Sequence, residues 1–524
     1  MKVLTRFLTV ALILSLWSVT ATKADSDTRR PNILIALSDD QSWQHTSAAG
    51  YRAVSTPAFD RVASMGVRCT QCVAGSPGCS PSRAALLTGL QHWQLEEAGT
   101  HASSFPQKFV TFPDRLEQSG YCVGYTGKGW GPGDWKDSGR LRNPAGTAFN
   151  ENVLAAPKPG INANDYTANF AAFLKSRPAG QPFCFWYGGH EPHRVYQGHD
   201  ARYTPERIEH ATVPSFLPDV PEVRRDLIDY CHEIEWFDQH LGQMLTMLEN
   251  AGELDNTLVI VTADNGMSFP RAKANLYEYG IHVPLAVCWP KRIPGGRVID
   301  DLIGFVDLTA TIVEAAAVSD TSATSSPASD SSGASTIPPA GRSLMNVLCS
   351  ERQGIVDPSR DMVFSGRERH SSSRPGNLGY PCRALRTHDY LYIRNFHPER
   401  WPAGDPQDYP SPGKLGAMHG AYRDIDAGPT LKLLTSHADQ APYSEFLSLA
   451  VAKRPMEELY EIRTDPSCLK NLATVGEQQT TPSTLRTALT DYLTQTHDSR
   501  IGAQPKVWET YKRYSAIREF PPSP

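Results

Sequence analysis

The chain has 524 residues, a length that at about 150 residues per domain predicts several domains and excludes a small disulfide-stapled scaffold. Its composition, with 40% hydrophobic, 20% charged and 9% aromatic residues, excludes a disordered chain and a repetitive fibre. The 51 Lys and Arg residues against 56 Asp and Glu give a net charge of -5, which argues against a basic nucleic-acid-binding protein.

The N-terminus is predicted to be a secretory signal peptide over residues 1–24. Two basic residues precede an apolar run from Phe7 to Val19, and small residues up to Ala24 follow it. A membrane anchor is the alternative, but the run is shorter than the roughly 20 apolar residues that a span requires. We therefore expect an exported protein, periplasmic, secreted or lumenal, with no membrane span after the signal peptide is removed.

Three apolar runs along the chain are predicted to be buried strands that end on polar residues. The runs cover residues 32–37, 183–187 and 258–262, and they lead into Asp39 and Asp40, into His190 and His193, and into Asp264 and Asn265. Since the carboxyl ends of parallel strands meet at one edge of an α/β sheet, the sequence predicts a single site at that edge.

The second half of the chain changes composition at residues 319–340, which are mostly Ser, Ala, Thr, Pro and Asp. Such a segment is typical of a flexible insertion. Strand-like alternation returns over residues 383–394. We therefore predict a catalytic domain over residues 25–360 that contains the insertion, and a smaller α+β subdomain over residues 361–524.

The ten cysteines are scattered along the chain and form no recognisable disulfide framework. Cys69 and Cys72 have the C-x-x-C spacing of zinc and redox sites, but no partner pair follows them. A buried thiol or a disulfide elsewhere is the favoured interpretation for both residues. Cys79, taken alone, is a buried thiol, a disulfide partner or a nucleophile.

The sequence around Cys79 separates it from the other nine cysteines. Cys79-Ser-Pro-Ser-Arg83 runs into a helix-like stretch that ends in Leu-Thr-Gly89. This stretch resembles the signature of the sulfatase family, in which a maturation enzyme oxidises the cysteine to Cα-formylglycine during export. The same stretch is the recognition sequence of that enzyme and the start of the active-site helix.

The resemblance extends over nearly the whole mature chain. The further motifs, in the order that sulfatases use, are Asp39-Asp40, Gly127-Lys128, His190-Glu-Pro-His193, Asp264-Asn265-Gly266, Lys273 and the stretch Glu458-Leu-Tyr-Glu461. Cys-Ser-Pro-Ser-Arg, His-x-Pro-His-Arg and Asn275-Leu-Tyr277 are most similar to the heparan N-sulfatase, or sulfamidase, branch. The resemblance implies an alkaline phosphatase-like α/β fold. Its large, mixed, mostly parallel sheet is flanked by helices, and a smaller C-terminal α+β domain carries an antiparallel sheet.

Asp39, Asp40 and Asp264 are the candidate metal ligands. In isolation an Asp-Asp pair is a helix cap or a solvated turn, but three carboxylates at two strand ends concentrate charge that a hard divalent cation would hold. Asn265 adds a neutral carbonyl, and the resemblance adds the modified residue at position 79. All-oxygen ligation favours Ca²⁺, with Mg²⁺ as the alternative, over zinc.

The resemblance also implies a mechanism at position 79. The hydrated formylglycine is a geminal diol that attacks sulfur, forms a sulfo-enzyme intermediate and then expels sulfate as the aldehyde reforms. Arg83 would orient the diol, and Lys128 and Lys273 would bind the sulfate oxygens. His193 would protonate the leaving group, a role that His190 could also take.

One position departs from the family pattern. Many sulfatases read Gly-Lys-x-His, whereas this chain reads Gly127-Lys128-Gly129-Trp130. The indole of Trp130 cannot take a proton from the diol. Either another group such as His101 takes that role, or the intermediate breaks down differently.

A segment rich in arginine is a candidate for binding the substrate. Between Gly366 and Arg400 there are seven arginines against three acidic residues. This excess of positive charge would suit a polyanionic saccharide, and ordinary salt-bridged arginines are an equal alternative. Trp130, Trp135 and Trp401 are candidates for stacking on sugar rings, with core packing as the alternative.

These observations predict a hydrolase that releases inorganic sulfate from a sulfuric ester or sulfamate of a saccharide, in the manner of glycosaminoglycan degradation. A heparan-type N-sulfoglucosamine is the favoured unit. The alternatives are a phosphonate or phosphate monoester hydrolase of the same superfamily, and an inactive relative that binds sulfated glycans. The sulfate position, exo or endo action and the oligomeric state stay open.

Overall fold

The structure is a computed structural model that describes residues 29–155, 160–198, 200–318, 340–473 and 480–521. The predicted signal peptide and residues 319–339 of the predicted insertion lie outside the described residues.

The larger sheet has nine strands. These are β1 (Asn32–Ser38), β2 (Val67–Val73), β3 (Cys122–Gly127), β4 (Thr147–Ala148), β5 (Phe183–Gly188), β6 (Thr257–Ala263), β7 (His282–Cys288), β8 (Arg297–Ile299) and β9 (Ile303–Gly304). Their order is β4-β3-β5-β1-β6-β7-β2-β8, and β9 pairs with β2. Strand β7 runs antiparallel to both neighbours, while the other pairings are parallel. The predicted mixed, mostly parallel sheet is confirmed.

Helices cover both faces of this sheet. They are α1 (Pro57–Met65), α2 (Cys79–Thr88), α3 (Phe112–Gln118), α4 (Tyr166–Ser176), α5 (Pro205–His210), α6 (Pro221–Asn250), α7 (Glu278–Ile281), α8 (Phe305–Ala315) and α9 (Met345–Leu348). Alternate side chains of β1 enter two cores, as expected for a strand buried on both faces. Ile33, Ile35 and Leu37 pack with α2, α3 and α8, whereas Leu34 and Ala36 pack with α1, α4 and α6.

The second sheet is antiparallel and has four strands in the order β10-β11-β12-β13. The strands are β10 (Val363–Arg367), β11 (Cys382–Arg386), β12 (Tyr390–Asn395) and β13 (Glu457–Glu461), and the accompanying helices are α10 (Pro429–Ser436), α11 (Tyr443–Val451) and α12 (Thr480–Gln495). Leucines of α12 pack on one face of this sheet. Residues Leu276 to Ile281 of the larger domain pack on the other face, so the two sheets share a core.

All ten cysteines lie in the described residues and are free thiols. Cys69 and Cys72 are buried on β2, so the buried-thiol interpretation is correct for both and the disulfide alternative is wrong. None of the helices within the described ranges combines the length and the apolar character needed to cross a membrane.

The arginine-rich segment is an internal network and not a binding surface. Its main ion pairs are Arg367 and Arg374 with Asp424, Arg383 with Glu368 and Asp498, Arg386 with Glu278, and Arg400 with Glu509. Apart from Glu368, these acidic partners come from parts of the chain outside the segment, so a local count of charges in the sequence could not detect them. The alternative of ordinary salt-bridged arginines is therefore the correct interpretation for these five arginines.

Candidate active site

Two buried pairs of residues, Asp39-Asp40 and Asp264-Asn265, meet at the carboxyl ends of β1 and β6. Ser38 lies opposite Ala263 in the sheet register, so the residues that follow each strand are neighbours. Asp40 adopts a left-handed backbone conformation with φ of 76°. Its backbone N–H donates to Oδ1 of Asp264 at 3.1 Å, which helps to hold this strained turn. The sheet therefore brings together the four candidate ligands that sequence reasoning placed at these strand ends.

Cys79 is the first residue of α2 and faces the acidic pairs. The hydroxyl of Ser82, one turn later, donates to the backbone carbonyl of Asp264 at 2.5 Å and ties α2 to the end of β6. The ligand atoms of Asp39, Cys79 and Asp264 all lie within 4.8 Å of one another. Burial, with the neighbouring Asp39 carboxylate, raises the pKa of the Cys79 thiol well above its usual value. The unmodified residue is therefore a protonated thiol at neutral pH and a poor nucleophile.

Each carboxylate of the site has a cationic neighbour. Lys128 donates to Oδ2 of Asp39. Lys273 donates to Oδ2 of Asp40 at 2.6 Å and contacts Asp426 at 2.8 Å. The remaining pair joins Nε of Arg83 to Oδ2 of Asp264 at 2.7 Å. The sequence argument held that the three carboxylates need a metal to balance their charge. That argument is incorrect, because the positive charges of Lys128, Lys273 and Arg83 already balance the three negative charges.

The residues nevertheless fit a divalent cation, because two buried oxygen atoms of the site accept no hydrogen bond from any described residue. These are Oδ1 of Asp39 and Oδ1 of Asn265. A buried acceptor without a partner costs about 1 to 3 kcal/mol, and a bound cation removes that cost. The donor set consists of carboxylate and amide oxygens, which Ca²⁺ and Mg²⁺ prefer. Burial and the nearby Asp39 raise the pKa of Asp264 to about 6, the direction expected of a crowded carboxyl group.

Arg83 joins three elements of the site. It is fully buried, and besides Asp264 it donates to the backbone carbonyls of Lys128 at 2.6 Å and Gly129 at 3.1 Å. Arg83 thus fixes the end of β3, and with it the starting point of the Lys128 side chain, against α2 and β6.

The two histidines after β5 differ in environment. Nδ1 of His193 is 2.6 Å from the carbonyl oxygen of Arg194, and its Nε2 lies 4.0 Å from Oδ2 of Asp40. Burial and the charge of Lys128 lower the pKa of His190 to about 4, so this imidazole is neutral at pH 7. A neutral imidazole is a poor proton donor to a leaving group, which argues against His190 in that role.

These residues open into a cavity of about 740 Å³. Its wall includes Asp39, Cys79, Lys128, His190, His193, Glu233 and Lys273 from the larger domain, and His370, Ser371, Arg423, Asp426 and Arg513 from the C-terminal part. The second group was missed by sequence reasoning, because these residues lie in irregular segments with no motif. Trp130, Trp135 and Trp401 are absent from this wall, so the hypothesis of stacking on sugar rings receives no support.

Trp130 has a structural role in place of the missing histidine. Its buried indole donates from Nε1 to the carbonyl oxygen of Ser80 at 3.0 Å and so supports the first turn of α2. His101 does line the cavity, where its ring stacks on that of His370 with the centroids 4.2 Å apart. Burial lowers the pKa of both imidazoles, that of His370 to about 3, and Nδ1 of His101 has no hydrogen-bond partner.

Comparison with known proteins identifies relatives over most of the chain. A family model described as Sulfatase matches residues 31–318, more than half of the chain. The N-sulphoglucosamine sulphohydrolase of Homo sapiens is 28% identical over 510 residues, which cover 92% of this chain and 93% of that protein. An ulvan-active sulfatase of Formosa agariphila is 25% identical over 509 residues, which cover 90% of this chain and 76% of that protein.

A solved structure supports the fold assignment independently. It shows a protein in complex with its substrate D-glucosamine-2-N,6-O-disulfate and is similar to this chain with a TM-score of 0.61 at 20% identity. The similarity covers 91% of this chain and 100% of the other. At this level of identity the likeness concerns the fold alone, and it agrees with the predicted alkaline phosphatase-like architecture.

Proposed function

This chain belongs to the sulfatase family, and from that premise we propose that it hydrolyses a sulfamate or sulfate ester on a saccharide, with heparan-type N-sulfoglucosamine as the favoured unit. The human N-sulphoglucosamine sulphohydrolase, alignable over 92% of this chain, supports this substrate class. The observation that carries the proposal is the position of Cys79 at the start of α2, within 4.8 Å of two carboxylate ligand atoms in the wall of an open cavity.

We propose that Cys79 is converted to Cα-formylglycine before the enzyme works. The buried, protonated thiol supports this, since it offers no thiolate at neutral pH. The aldehyde hydrate would supply a hydroxyl nucleophile for attack on sulfur. A formylglycine-generating maturation enzyme is therefore a required partner.

The proposed metal site consists of Asp39, Asp40, Asp264, Asn265 and the modified residue at position 79. The unpartnered buried oxygens of Asp39 and Asn265 support it. Ca²⁺ is the favoured ion and Mg²⁺ the alternative. When bound, the cation would stabilise negative charge on the sulfuryl oxygens and lower the pKa of a coordinated hydroxyl.

The chain's own residues would bind and orient the reacting group. Lys128 and Lys273 present fixed positive charge beside Cys79, so the sulfuryl oxygens would be held by charges that need no rearrangement during the reaction. Arg83 keeps α2, the end of β3 and Asp264 in register. His193, 36% exposed at the side chain, would donate a proton to the departing nitrogen or oxygen.

Two other functions would use the same cavity. A phosphate or phosphonate ester has similar tetrahedral geometry and charge, so a related hydrolase is the first alternative. An inactive relative that binds sulfated glycans is the second. We also propose that the chain is exported, which rests on the predicted signal peptide at residues 1–24.

The test is a panel of defined sulfated mono- and disaccharides, scored by release of inorganic sulfate and run beside aryl sulfate and aryl phosphate esters. The protein is produced with a maturation system, and Cys79→Ala produced in the same way is the control. We expect release from N-sulfoglucosamine by the wild type and none by the variant. Faster turnover of the phosphate ester would overturn the proposal, as would sulfate release that survives in Cys79→Ala.

A further inference from the structure

The wall of the cavity contains five cationic side chains, and three of them are neutralised within the protein. The three and their partners are Lys128 with Asp39, Lys273 with Asp40 and Asp426, and Arg194 with Asp226. The other two are Arg423 and Arg513. Across the described ranges, no carboxylate oxygen lies within 4.0 Å of either guanidinium group.

Arg423 is an exposed side chain on a rigid backbone. The carboxylate of Asp424 is buried and accepts from the backbone N–H of Ser371 at 2.9 Å and from Arg374 at 2.6 Å. On the other side of the segment, Asp426 pairs with Lys273 at 2.8 Å. The chain is therefore anchored next to Arg423, while its guanidinium faces the cavity without a hydrogen-bond acceptor in the described part of the chain.

Arg513 is half-buried and is held in a similar way. The hydroxyl of Ser103 donates to the carbonyl of Lys512 at 2.6 Å, and the backbone N–H of Tyr514 donates to the carbonyl of Ala102 at 2.7 Å. The guanidinium donates through Nη1 to the carbonyl of His370, whereas its buried Nε has no acceptor within the described part of the chain. Burial lowers the pKa of Arg513, and the more distant charge of Asp424 offsets this effect only in part.

A guanidinium that is partly removed from water and has no anion beside it lowers the stability of the protein. Arg513 is in this situation, and the exposed Arg423 adds to the same cavity wall a second guanidinium with no carboxylate beside it among the described residues. Together they indicate that an anion from outside completes the pairing. Lys128 pairs with Asp39, whose carboxylate lies within 4.8 Å of the Cys79 sulfur, whereas neither arginine pairs with a carboxylate of the site within the described ranges. The scissile group beside Cys79 is therefore served by the lysines, and the arginines are available for a different group.

We propose that Arg423 and Arg513 form an anion subsite that binds a second negatively charged substituent of the sugar substrate, a further sulfate or a uronate carboxylate. The inference rests on the proposed function and narrows its substrate class to saccharides with at least two anionic groups. Both substituents present two oxygens to a guanidinium, which pairs with them through parallel hydrogen bonds. The positive surface that the sequence suggested over residues 366–400 is thus replaced by two arginines outside that segment.

The experiment compares Arg423→Gln and Arg513→Gln with wild type on three sugars. These are N-sulfoglucosamine, its 6-O-sulfated form, and a disaccharide in which a uronate neighbours N-sulfoglucosamine. Arg463→Gln is the matched control, since Arg463 is 74% exposed and lies outside the cavity wall. We expect kcat/KM for at least one dianionic sugar to fall about 10-fold or more in each cavity variant, and kcat/KM for N-sulfoglucosamine to stay within about twofold.

The pattern across the sugars identifies the second group. A loss confined to the 6-O-sulfated sugar assigns the subsite to sulfate, and a loss confined to the disaccharide assigns it to the carboxylate. Equal losses on all three sugars would overturn the proposal, since the arginines would then act on the scissile group. Unchanged kinetics on all three would also overturn it.

A binding measurement separates this proposal from the proposed function. Protein made without the maturation system keeps Cys79 and is titrated with the three sugars by calorimetry. We expect wild type to bind a dianionic sugar about 10-fold more tightly than N-sulfoglucosamine, and both cavity variants to lose that preference. If wild type binds in this way but releases no sulfate after maturation, the proposed function fails and the subsite stands. Equal affinity for all three sugars in wild type would remove the subsite, whatever the activity.

Discussion

Arginines in two regions of the molecule differ in one respect, whether an acid lies beside them. In the second sheet, Arg383 is fully buried and bonds Glu368 and Asp498, both at 2.7 Å. In the cavity, Arg423 and Arg513 have no such partner among the described residues. The arginines of the second sheet are close together in the sequence and are paired with acids inside the protein; we call such pairs closed. The two cavity arginines are far apart in the sequence and have no acid beside them among the described residues; we call such groups open. For these arginines, the density of charge in the sequence does not distinguish those paired inside the protein from those open to a ligand.

The carboxylates follow the same distinction. Glu278 accepts hydrogen bonds on both oxygens, from Arg386 at 2.8 Å and from His282 at 3.0 Å. Asp39, in contrast, keeps one buried oxygen without a donor. The four predictions that follow test whether closed pairs stabilise the fold and open groups serve ligands.

The largest expected effect is on the free energy of unfolding when the ion pairs of Arg383 in the second sheet are broken. Arg383→Met would leave Glu368 and Asp498 buried with one cation fewer, so we expect the free energy of unfolding to fall by about 4 kcal/mol. Urea denaturation measures it. Arg463→Met, at the exposed pair with Asp389, is the control and should stay within about 0.5 kcal/mol of wild type. Equal stability of the two variants would show that the network is not what holds the second sheet.

The next effect concerns the open oxygens of the metal site. Ca²⁺ at about 100 times its dissociation constant should stabilise the fold by about 3 kcal/mol, because the ion binds the native state alone. Thermal unfolding with and without Ca²⁺ measures the shift. In Asn265→Ala, which removes one of the two open oxygens, the shift should shrink. If neither Ca²⁺ nor Mg²⁺ changes the melting temperature of the wild-type protein, the metal assignment is contradicted.

A smaller effect is expected from Glu278, at the junction of the two sheets. Burial alone would raise its pKa, but Arg386 and His282 hold it at about 2. The stabilisation is present above the unfolded pKa near 4.5 and is lost as pH falls through 2. About 2 kcal/mol of this stabilisation should be lost between pH 5 and pH 3. Glu278→Gln should therefore lose less stability than wild type between pH 5 and pH 3 in urea titrations, and a parallel decline in both proteins would refute the assignment.

The last effect has the opposite sign and comes from Glu233 in the cavity wall. Burial raises its pKa to about 9, and its Oε2 has no hydrogen-bond partner. The folded protein holds this proton while the unfolded chain releases it above about pH 4.5, so stability falls as pH rises towards 9. The slope is about 1 kcal/mol per pH unit. Glu233→Gln should flatten the decline between pH 6 and pH 8, and an unchanged slope would count against a neutral Glu233.

The sequence predicted the parts of the site that depend on local order. Asp39 and Asp264 follow buried strands, and Cys79 opens a helix, so their meeting could be inferred from strand polarity and a motif. Arg423 and Asp426 could not be inferred, because they reach the cavity from an irregular segment of the C-terminal part. The arginines over residues 366–400 were misjudged because their acidic partners, such as Asp424 and Asp498, are distant in sequence.

The metal argument failed for a related reason. The sequence argument counted only the negative charges of the three carboxylates at the strand ends. It omitted the positive charges of Arg83, Lys128 and Lys273, which come from other parts of the chain and pair with these carboxylates. Unpartnered oxygen atoms can be identified only in a structure.

Mass spectrometry of the tryptic peptide covering residues 69–83 tests the central claim most directly. This peptide contains Cys69, Cys72 and Cys79, so alkylation counts its free thiols. In protein made with a maturation system, we predict two alkylated cysteines and an aldehyde at position 79, with the rate of sulfate release proportional to the aldehyde fraction. Full sulfate release from protein whose peptide carries three alkylated cysteines would contradict the account.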